Sequence, residues 1–509
     1  MILGAPVGTI AFVKDKAAER LQEEIRLLHS ISDLPDPQCA WQLFTKCAVP
    51  RGNYWLRTLP PSLSAGYAEA RDNALWETAV EIMGGADLHD DVVNMGRRIA
   101  ELLARLGGLG IRSSSRTRIA SYWASWADAM EMIRQRNPRI AQQILDTLEA
   151  DTANCDGCLH ELKLAAAHLA QAGFDSMPSW LELSEGRRPP RTPPGQGADE
   201  RAPGWQFHAS APLLSRSRTH LLLSMCRSAR ACLRSQSGPG ASLALSPAPT
   251  CPEYTIEPEL SQAILRRRLR WPLPLSIARC EGCGHELDIL GDHLGACMES
   301  GRPRMRASAV EATVAQICRE AGARVKTNVR LADLNIAVSS RDGRRLEVIA
   351  SGLPAFGGAQ LAVDVTLRSS LGRAGWPRGG SHWCDWVTAE AARADKERKY
   401  PEFLRGNRCR LVVLALETGG RFSQETADFL RQLSEARAQS VPSFLRHSAR
   451  AAFEQRWASM LAVSAATALV GSLLRPKDVV ANSAAQVGRG PCLQDLLTES
   501  RFEEASEGR

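Results

Sequence analysis

A chain of 509 residues is too long for one ordinary hydrophobic core, so two or three domains are expected. Hydrophobic residues at 44% and charged residues at 23% are those of a globular protein, and a formal net charge of +7 permits a nucleic-acid partner without establishing one. Fourteen cysteines scattered over this length exclude a compact disulfide framework. They point to an intracellular, reducing compartment, nuclear or cytoplasmic, where paired cysteines are inspected first as metal ligands.

Met1 to Val13 is apolar, but no basic segment precedes it and no small-residue cleavage site follows, so no signal peptide is expected. From about Lys16 to Leu183 the pattern is helical. Leu21, Ile25, Leu28 and Ile31 recur at helical spacing before Pro35 and Pro37 break the run, and a second helical stretch starts near Ala68. Gly107-Gly108-Leu109-Gly110 lacks the spacing and the Lys-Ser/Thr ending of a phosphate-binding loop and reads as a tight turn before another helix. Cys155 and Cys158 with His160 lack a fourth ligand and read as packing.

Composition changes at Gly186. Arg187-Arg188-Pro189-Pro190-Arg191-Thr192-Pro193-Pro194-Gly195 supplies no core, and Ser- and Arg-rich sequence continues to about Pro252, so residues 186–256 are expected to be a linker. Order resumes at Glu257 with a helix carrying Leu260, Ile264 and Leu265 into the basic run Arg266-Arg267-Arg268-Leu269-Arg270.

The sharpest local signal follows: Cys280-x2-Cys283-x9-His293-x3-Cys297. Two close pairs of soft or borderline ligands around a short polar loop are what a closed tetrahedral zinc site requires, and four protein ligands leave no open position, so the role is structural. His285 is an alternative ligand. Arg266, Arg267, Arg268, Arg270 and Arg279 beside the site predict a cationic surface for a phosphate backbone, or else a solvated helix face.

Ser308 and Glu311 are spaced as a capping box for a helix with Val310, Val314, Ile317 and Ala321 on its apolar face, ended by Gly322. Two strands are predicted next. In residues 345–350 Glu347 faces away from Leu346 and Val348; in residues 360–367 Asp364 and Thr366 face away from Leu361, Val363, Val365 and Leu367. An acid central to so apolar a strand needs a reason, because burying it unpaired is costly. A helix over about 389–400 then carries Lys396 and Lys399 on one face. Two carboxylates on neighbouring strands with a lysine nearby suit a phosphodiesterase: the carboxylates hold Mg²⁺ or Mn²⁺, and the lysine stabilises developing negative charge. Ala458 to Leu474 approaches membrane-span length but contains Ser464, Thr467 and Ser472; a buried helix is expected, with no membrane partner. Residues 476–509 read as a polar tail, and no internal repeat is visible.

The order knuckle, helix, acidic strand, "LAVDVTL" strand and "KERKY" resembles the restriction-like endonuclease of site-specific non-LTR retrotransposons. That resemblance implies a PD-(D/E)xK nuclease fold in which the catalytic lysine has moved from the second strand to a following helix. It maps Glu347, Asp364 and Lys396 onto the catalytic positions and Lys399 and Tyr400 onto the accompanying pair. The usual Pro-Asp is Leu346-Glu347 here, and Asp333 in "LADLN" competes with Glu347 for the first acidic position; Arg306 lacks the histidine often found beside it. The helical half is similar to the thumb and connector of such reverse transcriptases, in residues 2–8, Gln38 to Trp41, Pro50-Arg51, Leu56-Arg57, Gly107 to Ser113, Tyr122 to Asp128, Gly204 to His208 and Arg266 to Leu275. No Tyr-x-Asp-Asp motif occurs; Asp90-Asp91 falls in a helical stretch, so no polymerisation by this chain alone is expected.

The expected architecture is therefore multidomain α plus α/β. A thumb/connector-like helical region (1–185) and the linker (186–256) precede a basic helix with its knuckle (257–304), a restriction-endonuclease-like α/β domain (305–475) and the tail (476–509). The resemblance implies a retrotransposon-derived protein that nicks target DNA, with DNA, element RNA and a separate reverse transcriptase as partners. The alternatives are a catalytically inactive nucleic-acid-binding remnant and a helical interaction protein.

Overall fold

Residues 1–103 with 110–224 form one compact unit and residues 225 onward with 104–109 form another. The computed structural model describes residues 1, 3–150, 157–190, 204–334, 336, 338–404 and 409–474. Cys155, residues 191–195 of the proline-rich run and the polar tail lie outside the described residues.

The first unit is helical, as its periodicity predicts. Helices Ile10–Ser32 and Pro61–Ile82 pack together, and the long helix Ser114–Arg136 is the centre of the rest. Trp123 on that helix is fully buried, its ring 5.3 to 6.0 Å from those of Phe174, Trp180 and Trp205. One polar cluster lies inside: Arg71 donates to Glu24 at 2.8 Å, to Ser114 Oγ at 2.9 Å and to the Ala48 carbonyl at 2.8 Å, while Tyr67 also donates to Glu24. Asp90 and Asp91 stand exposed in the first turn of helix Asp90–Ala100, where carboxylates complement the helix dipole.

Part of the expected linker is a correction. Helices Trp205–Ser224 and Arg227–Ser235 lie within it. The Ser- and Arg-rich composition masks a helical stripe, since Trp205, Ala209, Leu213, Leu214, Leu221 and Leu222 are buried, as are Ala231, Cys232 and Leu233.

In the second unit α1 (Arg227–Ser235) and α2 (Pro258–Arg268) precede the knuckle. Then come α3 (Arg302–Glu320), β1 (Arg324–Arg330), β2 (Arg345–Ser351), β3 (Gln360–Arg368), α4 (Val387–Lys399), β4 (Cys409–Glu417), α5 (Gln424–Ala438) and α6 (Arg446–Leu474). The sheet order is β1-β2-β3-β4, with β1/β2 and β2/β3 antiparallel and β3/β4 parallel, the parallel step being crossed by α4. The chain is thus mixed: mostly helical, with one small four-stranded mixed sheet.

Strand alternation sorts the sheet into two packed faces. Val348, Ala350, Leu361, Val363 and Val365 join the core built with α3, α5 and α6; Ile349, Ala362, Val413 and Ala415 join a second core with Ala389 and Ala392 of α4. β1 and β4 had no sequence expectation: β4 is a continuous apolar run, and β1 shows no buried stripe. The α3 start also differs. The helix begins at Arg302 after Gly301, with Pro303 in its first turn, so Ser308 and Glu311 lie mid-helix and form no capping box. Helix α6 carries the long apolar run, with Trp457, Leu461 and Leu473 fully buried; 67% of its most apolar window is covered by the protein, the condition of a core helix.

Candidate metal centre and carboxylate–lysine site

The knuckle is a short hairpin followed by a one-turn helix. Arg279 bridges to Glu286, and the Gly284 N–H donates to the Cys280 carbonyl at 2.8 Å, which brings Cys280 and Cys283 together. Gly282 is required by close approach: a Cβ there would lie 2.1 Å from the Glu299 carbonyl oxygen. Helix Asp292–Ala296 presents His293, and the Asp288 carboxylate caps it by accepting from the N–H groups of Asp292 and His293 at 2.9 and 2.8 Å. Asp288 had no sequence expectation; its only signal was a carboxylate a few residues before the helix it caps.

The ligand atoms of Cys280, Cys283, His293 and Cys297 all lie within 4.8 Å of one another. Cys280 Sγ is 3.9 Å from Cys297 Sγ, Cys297 Sγ 3.8 Å from Cys283 Sγ, and Cys283 Sγ 3.3 Å from His293 Nε2. A tetrahedral metal with bonds of ~2.3 Å to sulfur has ligand–ligand edges of about 3.8 Å, so the cluster has the dimensions to hold a metal ion. His293 Nδ1 meets the Arg373 carbonyl at 2.7 Å, a contact that places the proton on Nδ1 and leaves Nε2 free for the metal. His285 is not in the group; its ring stacks on His293 with centroids 4.8 Å apart. Burial opposes the Cys280 thiolate, but backbone N–H groups of Cys283 and Gly282, with His293 and Cys283, outweigh it and bring the thiol down to about 6.

The flanking arginines turn mainly inward. Arg268 is buried and donates to four carbonyls, those of Gly108 (2.8 Å), Ala241 (2.6 Å), Ala104 (2.5 Å) and Gln236 (3.1 Å). Arg270 pairs with Asp292 at 2.7 Å, and Arg267 lies 3.6 Å from Asp292 and donates to the Leu290 carbonyl. Arg266 is half-buried, and Arg279 is the exposed member of the set. The expected cationic strip is therefore a correction: four carbonyls and the Asp292 carboxylate draw Arg267, Arg268 and Arg270 into the structure. Arg306 is buried too, donating to the Gly295 carbonyl at 2.6 Å, and desolvation brings it down to about 9.

The second cluster lies on the sheet. The β2/β3 register pairs Val348 with Val363 and Ile349 with Ala362, and carried one step on it sets Glu347 opposite Asp364. The regular ladder stops at Val348–Val363, and the Val365 N–H donates to Glu347 Oε2 instead. Asp364 is fully buried. Helix α4 lies over this face and puts Lys396 Nζ in direct contact with Asp364 Oδ1 and 3.9 Å from Glu347 Oε1.

Burial and the neighbouring Asp364 push the Glu347 carboxyl up to about 8. Glu311 of α3, half-buried, is raised by burial and by Asp364. Tyr400 is buried, with its hydroxyl donating to the Arg345 carbonyl at 2.8 Å, and burial and the two carboxylates raise it. The Lys399 ammonium lies 4.7 Å from the Tyr400 ring centre; burial and Lys396 lower it. Asp333 stands outside this group, on the short helical turn after β1, paired with Arg330 at 3.4 Å. So the structure brings Glu347, Asp364 and Lys396 together and leaves Asp333 apart.

Glu347 and Asp364 thus share the Lys396 ammonium, the Asp364 carboxylate fully buried and the Glu347 carboxyl raised by burial and by that neighbour. Comparison with protein-family models finds no match, and comparison with curated proteins finds none.

Proposed function

We propose that this chain is a retrotransposon-derived protein carrying a metal-dependent DNA endonuclease that nicks a target site, together with a zinc knuckle that supports nucleic-acid binding. The observation that carries the reading is the fully buried Asp364 carboxylate in contact with Lys396, with Glu347 across the strand pair. Two acids on adjacent strands and a lysine from the following helix make up the PD-(D/E)xK arrangement that the "LAVDVTL" and "KERKY" motifs imply.

Glu347 and Asp364 would hold Mg²⁺ or Mn²⁺, which supplies charge neutralisation at the phosphate and lowers the pKa of a bound water. Lys396 stabilises negative charge developing on the scissile phosphate. Tyr400, tied to the β2 backbone, fixes the end of the helix that carries Lys396. The knuckle sulfurs and His293 Nε2 suit Zn²⁺ in a closed, structural role. No Tyr-x-Asp-Asp motif occurs among these residues, so they supply no polymerase site of that kind.

Plasmid nicking by the purified protein tests the reading. Wild type is expected to nick with Mg²⁺ or Mn²⁺, Asp364→Ala to be inert while still binding DNA, and Lys396→Ala to retain cation binding with a rate reduced by roughly 10²–10³-fold. A wild-type protein inert with both cations reduces Asp364 and Lys396 to a structural ion pair and the chain to a nucleic-acid-binding remnant.

A further inference from the structure

Ten of the twelve tryptophans are at least half-buried; the two that stand in solvent are Trp376 and Trp383, 69% and 58% exposed, both on the connection between β3 and α4. This connection is well ordered. Leu371 bridges to Pro377, the Gly372 N–H donates to the Trp376 carbonyl at 2.7 Å, the Arg378 N–H to the Ser370 carbonyl at 2.9 Å, and the Trp383 N–H to the Gly380 carbonyl at 2.8 Å. Ser228 of α1 donates to the Gly375 carbonyl at 2.7 Å, and Ser381 Oγ to the Ser370 carbonyl at 2.9 Å. Two indoles are thus held out into water by a fixed backbone.

Cations lie beside Trp383. The Arg230 guanidinium lies 4.5 Å from the Trp383 ring centre; it is nine-tenths buried, and its Nε has no hydrogen-bond partner. The His382 ring, 5.2 Å from Trp383, is lowered by desolvation and by the facing charges of Arg227, Arg230 and Arg234. The acids of this surface are already engaged: Asp385 pairs with Arg234 and Arg421, and Glu299 with Arg373. Arg227 and Arg230 make no ion pair among the described residues, so the patch keeps uncompensated positive charge.

We propose that Trp376 and Trp383, with Arg227 and Arg230, form a stacking platform for an unpaired nucleic-acid strand. Exposed aromatic faces take bases without sequence preference, the exposed Arg227 takes a phosphate, and the buried Arg230 backs the Trp383 ring and adds positive charge; a duplex hides its base faces and offers the indoles nothing to stack on. An ordered display loses little entropy when a strand docks. The connection between the strand that carries Asp364 and the helix that carries Lys396 would thereby hold an unwound segment for the proposed nicking reaction. The inference rests on the nuclease reading only for that last role, not for binding.

The test uses the full-length protein and dye-labelled single strands of mixed sequence, oligo(dT) and oligo(U), each against a matched duplex, by fluorescence anisotropy at two salt concentrations. Single strands are expected to bind more tightly than the duplex, and Trp376→Ala and Trp383→Ala each to weaken that binding about five- to 150-fold. Duplex affinity should stay within about twofold. Trp383→Phe, which keeps a ring, should retain most of the binding, whereas Trp383→Leu should not. The dT and U arms distinguish a DNA strand from an RNA strand. Equal loss with Phe and Leu, no preference for single strands, or unchanged affinity in both alanine variants overturns the platform. Retained strand binding by a wild type that cuts nothing with Mg²⁺ or Mn²⁺ supports the platform and removes the nuclease.

Discussion

Removing the Asp364 carboxylate should leave the metal-free protein about as stable as the wild type, which distinguishes a cation site from a structural ion pair. Asp364 and Glu347 share one ammonium, that of Lys396, and Glu347 is pushed from an ordinary 4.5 up to about 8 by burial and by Asp364. Such a shift corresponds to a few kcal/mol, of which the part due to Asp364 is on the order of 1–2 kcal/mol; Asp364→Ala returns that part. Against it stands the lost contact with Lys396. Breaking a fully buried pair costs ~3–5 kcal/mol, but Lys396 is 18% exposed and keeps Glu347 as a neighbour, so the loss falls to a similar 1–2 kcal/mol. The net change should lie within about 1 kcal/mol. Mg²⁺ at ten times its Kd then adds roughly 1.4 kcal/mol to the wild type, or about 2–4 °C in Tm, and nothing to the variant. The sign with pH follows from the raised carboxyl. Above about pH 4.5 the unfolded chain releases a proton that folded Glu347 keeps, so stability contributed at low pH is lost as pH rises through about 8. Cation affinity, which needs that proton gone, rises over the same window, and Asp364→Ala flattens both slopes. Thermal and urea melts between pH 5 and 8.5, with and without Mg²⁺, read all of this. A variant more than 3 kcal/mol less stable without metal, alongside a wild type indifferent to Mg²⁺, would refute the argument.

Cys283→Ser should abolish zinc in elemental analysis, and hydrogen exchange should then rise in residues 369–386 as well as in the knuckle, because His293 is bonded to the Arg373 carbonyl; the first unit should stay protected. Arg268→Ala removes the donor to four buried carbonyls and should cost about 3 kcal/mol or more in urea melts, with Arg268→Lys restoring little, because a single ammonium cannot replace the guanidinium fork. Arg71→Ala leaves the buried Glu24 with only Arg20 and the Tyr67 hydroxyl, and leaves the Ala48 carbonyl without its donor, so it should cost about 2–4 kcal/mol in the first unit, partly recovered in the Glu24→Gln double variant.

Much of the candidate site was legible because its signals are local. Cysteine and histidine spacing identifies the knuckle, and period-two alternation places Asp364 opposite the apolar face of β3. What escaped depends on long-range partners. That Glu347 rather than Asp333 faces Lys396 is decided by the β2/β3 register, and the arginine run looked like a surface because nothing in it reveals the four carbonyls waiting for Arg268. Glu311 was legible only as a cap, since the true helix start lies at Gly301–Arg302. Strand β4, apolar at nearly every position, carries no period with which to separate a buried strand from a buried helix.

The contact between His293 Nδ1 and the Arg373 carbonyl bears on modularity. A Cys/His cluster that brings its own acceptor for the histidine N–H can be cut out and grafted elsewhere. This one borrows its acceptor from a segment eighty residues downstream, and Cys280, Leu294 and Cys297 belong to the same apolar core as β3 and α6. A recombination event or a chimera that joined this knuckle to a different α/β domain would inherit four ligands and lose the group that orients one of them. The two parts should therefore be inherited, swapped or lost as one piece.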